Sequence, residues 1–363
     1  MITEIRASQL ARPMVCAGFL SLDLPPQPEH EAAREGTAAG EYLERLLTKQ
    51  EMPTQARNGV YFDNDMKFYT EPIAKEILSK AEKVTCEQRI DWGTRSGIKI
   101  KGSYDISFTC GDTLYIDDLK YGWGIVEPFE NWQLLAYAIG EVIRLGKAFP
   151  TIVMRIHQPR PHHENGSTRE WKVTYNELLE YKEKIEVRMD QLAAGLKTLT
   201  TSDKCKYCSG AAEACPAFTR LFNRALEITT EFTQDQIGEE ELARQMDHAG
   251  RAQEVIKIKL DSLNQLALDR IAQGKIIPGY IAEESYGNRA WKPGVSPEVF
   301  LTLTGHKVTE EVMLSPAKVE KLGIPKEFLN ELTERFFKGR KLNRKSAGVK
   351  ADGVFGKGSP NAG

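Results

Sequence analysis

The sequence predicts an α/β fold: a mixed central sheet flanked by helices over residues 1–225, then a mainly helical domain over 226–336 and a basic tail over 337–363. Three observations carry this. Three strand patterns follow one another between residues 84 and 121. Amphipathic helical runs stand before and after them. Beyond about 230 the strand pattern gives way to one long helical stretch.

In chain order, Ser8 can cap a short helix that carries Cys16 near its end. After the break "LPPQP", "EHEAAREGTAAGEYLERLL" reads as a helix from about Glu29 to Leu47, and "DMKFYTEPIAKEILSKAEK" as another. Strands follow in "VTCEQRID", "IKIKGSYDISF" and "TLYIDDLKY", the last two joined by the turn "CGD". "PFENWQLLAYAIGEVIRLG" is an amphipathic helix ended by Gly146. "TIVMRIHQP" and "EWKVTY" are strands on either side of the turn "HHENGSTRE", and a charged helix runs from about Asn176 to Leu196. Further on, "ELARQMDHAGRAQEVIKIKLDSLNQLALDRIAQG" is a long helix and "KIIPGYIAEESYGNRAWKPG" a strand and turn. "SPEVFLTLTG", "SPAKVEKLG" and "PKEFLNELTERFFKG" are short capped helices. From Phe337 seven Lys/Arg face one Asp among Gly and Ser, the composition of a disordered tail.

Composition is that of a folded soluble protein, 41% apolar and 28% charged, with a net charge of −2 that does not advertise nucleic-acid binding but can hide a local basic groove. No apolar run reaches the roughly 20 residues of a membrane span. The N-terminus carries Glu4 and no apolar h-region, so no signal peptide is read and the expected location is cytoplasmic. There, six cysteines are more often free thiols or metal ligands than disulfides.

Strand alternation puts Asp118 and Lys120 of "YIDDLK" on one sheet face and Asp117 on the other. Asp105, on the preceding strand, can sit beside Asp118. Two carboxylates and the Leu119 carbonyl form an oxygen-rich set suited to Mg²⁺ or Mn²⁺, and a neighbouring lysine can orient water and stabilise charge on a phosphate. A lone D-x-K is a common tripeptide that usually marks solvated or paired charges. Here it has company: Gln133 and Tyr137 of "QLLAY" stand at i and i+4 on one face of the next helix.

The order G-x-x-D, D-x-K, Q-x-x-x-Y resembles the RecB-like branch of the PD-(D/E)XK nuclease superfamily, whose restriction-endonuclease-like core is the fold that the resemblance implies. "EGTAAGEYLE" is similar to the family's E-G-T-x-x-H-x-x-x-E helix at Glu35, Gly36, Thr37 and Glu44. The usual metal-ligand histidine is Gly40 in this chain, with Glu41 and Glu44 as the nearby carboxylates.

Cys205-x2-Cys208-x6-Cys215-Pro places three thiols close together, which on spacing alone reads as loop thiols or a zinc knuckle. The layout resembles RecB-like nucleases with an iron–sulfur staple, AddB and the CRISPR-associated exonuclease among them. That resemblance implies a 4Fe–4S cluster on Cys16, Cys205, Cys208 and Cys215, closing a very long loop. Cys86 and Cys110 fall on strands and read as buried hydrophobes. His162 and His163 read as a surface loop rather than a ligand pair. Trp132 and Trp291 are base-stacking candidates, with core packing the stronger reading for Trp132. "GKIIPGYIAEESYGNRAWK" and "LSPAKVEKLG" resemble a phage and prophage family of predicted RecB-like nucleases.

The expectation is a metal-dependent DNA exonuclease acting on single strands or duplex ends, with phage replication or recombination proteins as partners and no membrane. A catalytically weak DNA-end-binding accessory module and a zinc-stabilised interaction domain are the competing readings.

Overall fold

Apolar alternation in adjacent segments builds a six-stranded mixed sheet in the computed structural model, which describes residues 2–24, 31–230, 238–291, 297–306, 316–320 and 323–344. In chain order the elements are β1 (Glu4–Arg6), α1 (Ala11–Val15), α2 (Glu31–Thr48), α3 (Asn64–Lys80), β2 (Lys83–Gly93), β3 (Lys99–Cys110), β4 (Thr113–Leu119), α4 (Trp132–Leu145), β5 (Thr151–His157), β6 (Thr168–Thr174), α5 (Tyr175–Ala193), α6 (Pro216–Thr230), α7 (Glu239–Ala272), β7 (Tyr280–Trp291), α8 (Pro297–Thr304), α9 (Pro316–Glu320), α10 (Lys326–Leu332) and β8 (Thr333–Arg344). Two compact units divide the chain: Met1–Asp23, Glu29–Lys204 and Arg289–Glu334 form one, and Leu24–Pro28, Cys205–Asn288 and Arg335–Gly363 the other. The sequence pattern places its boundaries at 225 and 336.

The sheet order is β1-β3-β4-β5-β6, with β2 on the other edge of β3. β2, β3 and β4 run antiparallel, β4 and β5 parallel, β5 and β6 antiparallel, and β1 parallel to β3. β4 covers residues 106–110 of β3 and β1 covers 99–101. Between them, Gly102–Asp105 carries no ladder partner on that edge, and the candidate site is built there.

One core lies between the sheet and α4/α5, with Ile100, Tyr104, Ile116, Leu135 and Ile185 among its members. The other lies against α2/α3, with Ala39, Leu43, Ile77, Ile106 and Phe108. The local signals are those the sequence carries. Asn131 caps α4, Gly146 ends it in a left-handed conformation (φ 61°), and Thr174 with Glu177 forms a capping box on α5.

Four details differ from expectation. Ser8 caps no helix: it lies in a 3₁₀ turn, and α1 begins without a side-chain cap. The short β1 was not expected; three residues are too few for a periodic signal. "PKEFLNELTERFFKG" is helix only to Leu332, after which β8 pairs with β7. The tail expected from Phe337 therefore begins as strand to Arg344, and 345–363 lies outside the described residues. Among the described residues, no helix is long and apolar enough to cross a membrane.

Candidate active site

Simple alternation fails at one point of the β2–β3 hairpin, and that failure shapes the site. Val84, Cys86, Ile106 and Phe108 pack toward α2/α3, whereas Ile90, Trp92, Ile100 and Tyr104 pack toward α4/α5. All eight positions are even-numbered, so the hairpin changes face between them. The change falls where Glu87 would oppose Asp105. That pair is missing from an otherwise continuous register, and Glu87 adopts φ 49°. A non-glycine residue in the left-handed region costs of order 1–3 kcal/mol and persists where its surroundings impose it.

The break sets Asp105 beside the end of β4. Its Oδ2 accepts from the Leu119 amide at 2.7 Å. Asp118 is 1% exposed, and Lys120 Nζ lies 2.7 Å from its Oδ2. That ion pair is the contact this buried oxygen makes with a cation. Lys120 itself is anchored by its amide to the His157 carbonyl (2.8 Å), one step beyond the β4 ladder. On α4, Gln133 Nε2 donates to the Tyr137 hydroxyl (2.9 Å) and reaches Asp118 Oδ1 at 3.5 Å. Gly102 of the G-x-x-D stretch makes room for this: a Cβ there would stand 3.0 Å from the Tyr137 ring and 3.1 Å from Ala7. Asp105, Asp118, Lys120, Gln133 and Tyr137 thus form one connected group.

Burial, then the Asp118 charge, pushes the Asp105 carboxyl well above the ordinary carboxylate range, against the pull of Lys120 and the Leu119 amide. Burial lowers the Lys120 ammonium, but Asp118 and Asp105 outweigh it and hold the pKa above the usual lysine value. Burial raises Tyr137 to about 12. Glu87 is raised by burial and by Glu44 of α2, with Asp118 adding to the shift. Four carboxylates (Glu44, Glu87, Asp105 and Asp118) therefore share one electrostatic environment. Glu87 is absent from sequence reasoning because a glutamate inside "VTCEQRID" looks like any solvent-facing strand residue.

On α2, Gly36, Gly40 and Glu44 stand at i, i+4 and i+8 on one face. A Cβ on Gly36 would lie 4.0 Å from Tyr121, and one on Gly40 would meet nothing within 4 Å. Position 40 is therefore open space on the helix face that carries Glu44.

An excess of oxygen-bearing acids over Lys120, gathered around the buried Asp118, has the chemistry of a hard divalent-cation site. Among the described residues, however, no three His, Cys, Asp or Glu side chains are gathered as the ligands of one ion. For the cysteines, the Thr200 amide points to Cys16 Sγ in the first unit, and the Phe218 amide to Cys215 Sγ in the second, each at 3.4 Å. Cys205 and Cys208 follow one another on a tight turn, the Cys208 amide donating to the Cys205 carbonyl at 3.0 Å.

The remaining candidates separate cleanly. Cys86 is partly buried, its thiol raised to about 12 by burial, but Cys110 is exposed at the end of β3 and is no buried hydrophobe. His162 is exposed, and His163 pairs with Glu127 (2.9 Å). Trp132 packs on the α4/α5 core and edge-on to Tyr181. The Trp291 side chain lies outside the described residues.

Residues 5–343 match the family described as "Protein of unknown function (DUF2800)". Among solved structures, SSO0001 is similar at 13% identity and TM-score 0.30, over 60% of this chain and 88% of that one. The alkaline exonuclease LHK-Exo from Laribacter hongkongensis is similar at 17% identity and TM-score 0.22, over 53% of this chain and 89% of that one. Its complex with dAMP matches at 18% identity over the same shares, again with a TM-score of 0.22.

Proposed function

The chain belongs to the DUF2800 family, and we propose that it is a metal-dependent deoxyribonuclease, acting as an exonuclease on single strands or duplex ends. The observation that carries this reading is the connected group of Asp105, Asp118, Lys120, Gln133 and Tyr137 at the gap in the β3 edge.

Asp105, Asp118 and the Leu119 carbonyl would hold Mg²⁺ or Mn²⁺, which when bound supplies Lewis-acid polarisation of the phosphate and an acidified water. Lys120, kept protonated by its two acidic neighbours, stabilises the negative charge that grows on the phosphate oxygens. The water oxygen forms a new P–O bond, the ester P–O bond breaks, and the departing oxygen takes a proton. Gln133 and Tyr137 orient Asp118 and offer donors along the strand path. A 4Fe–4S cluster on Cys16, Cys205, Cys208 and Cys215, and a phage replication or recombination setting, belong to the same reading and rest on the sequence resemblance.

The test is incubation of full-length protein with end-labelled DNA, with and without Mn²⁺, beside Lys120→Ala. Removing one transition-state charge stabiliser should lower the cleavage rate by about 10²–10³-fold while DNA binding persists. DNA binding without any cleavage would favour the end-binding accessory role, for which Gly40 is the structural argument. Cleavage undiminished in Lys120→Ala would overturn the site.

A further inference from the structure

We propose that Arg57 is the residue that receives a DNA phosphate at the mouth of this site, exchanging Glu44 for the phosphate when substrate enters; this rests on the deoxyribonuclease reading above. The sequence "TQARNGVYF" forms a small hairpin. The Ala56 amide donates to the Val60 carbonyl (2.8 Å), the Gly59 amide to the Ala56 carbonyl (2.9 Å), and Gln55 bridges to Tyr61. Gly59, at φ 80°, closes a three-residue loop in the left-handed conformation that such loops require.

The hairpin is tied to α2 at two places. Asn58 Nδ2 donates to the Arg34 carbonyl (2.7 Å) and Arg34 returns a bond to the Asn58 carbonyl (3.1 Å). The Arg57 amide donates to Glu41 Oε2 at 2.7 Å, and Glu41, 6% exposed, is itself gripped by Arg45. The Arg57 backbone is therefore fixed while its side chain is 60% exposed.

Arg45 and Arg57 show what a structural arginine looks like beside one held in reserve. Arg45 is 17% exposed and gives its donors to Glu41 and the Glu51 carbonyl. Among the described residues, the Arg57 side chain makes one hydrogen bond, Nη2 to Glu44 Oε2 at 3.0 Å, and its Nε stands 3.6 Å from Glu41 Oε1. A guanidinium has five donors in a planar fork that matches a phosphate, so most of this fork is unspent. It stands where a cation is needed. Glu44, Glu87, Asp105 and Asp118 would repel a polyanion, Lys120 is engaged by Asp118, and Glu87 feels Glu44, Arg57 and Asp118 together. An incoming phosphate that takes the Arg57 fork neutralises one charge of the strand and releases the Glu44 carboxylate toward the acidic site.

The experiment measures binding of a fluorescent single-stranded oligonucleotide to the full chain in EDTA, over a series of salt concentrations. Wild type is compared with Arg57→Ala, Arg57→Gln and Arg57→Lys, with melting temperatures recorded in parallel. Arg57→Gln keeps a donor for Glu44 and drops only the charge, so it reports on phosphate binding even where Arg57→Ala fails to fold. Loss of one phosphate contact should weaken binding by about tenfold and flatten the slope of log affinity against log salt by about 0.7; Arg57→Lys should restore the slope. Unchanged affinity and slope in Arg57→Gln, with wild type binding and cleaving DNA, overturns this role alone. Wild type that binds no DNA removes the deoxyribonuclease reading as well.

Discussion

Asp117 and Asp118 are neighbours on β4, both almost wholly buried, and they live opposite lives. On the α3 side, Asp117 takes two bonds from Arg155 (2.8 and 2.5 Å) and one contact from His157 Nε2 (2.9 Å). Arg155 continues to Glu76, and His157 Nδ1 meets Thr168. Burial alone would raise the Asp117 carboxyl, but His157 and Arg155 outweigh it and hold it below the ordinary range. On the α4 side, Asp118 and Asp105 share one lysine, and Asp105 is driven well above that range. One face satisfies its charge and the other leaves an acid surplus. The first arrangement stabilises a fold; the second is the face on which we propose the cation and the substrate to bind.

The comparison breaks most visibly at Asp117. Asp117→Ala leaves Arg155 buried without its main partner and should cost about 3–5 kcal/mol in denaturant unfolding. A loss below about 1 kcal/mol would mean that this network is not what holds β4 to β5. By contrast, Asp105→Asn relieves repulsion on the other face: the melting temperature should hold or rise while Mn²⁺ binding by calorimetry is lost. A melting temperature that drops as far as that of Asp117→Ala would place Asp105 in a structural role.

The two faces also pull stability in opposite directions with pH. A carboxylate with a lowered folded pKa contributes stability above its unfolded pKa of about 3.9, lost as pH falls through the folded value. That is the Asp117 case, so Asp117→Asn should flatten the acid limb of stability against pH. Asp105, with its raised pKa, holds its proton more tightly when folded. Its contribution is present at acid pH and declines as pH rises from the unfolded value through the folded one. Asp105→Asn should remove that decline, which unfolding measured at a series of pH values will read.

The smallest effects are expected at Gly40. Because a side chain there enters open space, Gly40→Ala should gain about 1 kcal/mol of helix stability and Gly40→His a smaller amount. Only the histidine adds a nitrogen donor on the helix face that carries Glu44, so it alone should tighten Mn²⁺. Equal metal affinity in both variants would turn that face away from the ion.

Much of this site was legible before any fold was known. A strand's period of two separates Asp117 from Asp118 and Lys120, and a helix's period of 3.6 brings Gln133 to Tyr137, because both follow from backbone geometry alone. The same local logic placed the strands β2 to β6 and the end of α4 at Gly146. It failed where the outcome depended on distant partners. The switch of face at Glu87 and Asp105 is decided by two cores competing for one hairpin. Cys110 is exposed because β3 ends at a turn that neither core covers, and Glu87 and Arg57 acquire meaning only against α2, more than ten residues away in sequence. Periodicity is a property of a segment, so the face each residue presents follows from its own stretch of chain. Charge balance is a property of the neighbours a segment meets, so the sharing of one lysine by Asp105 and Asp118 follows from how β3 and β4 pack.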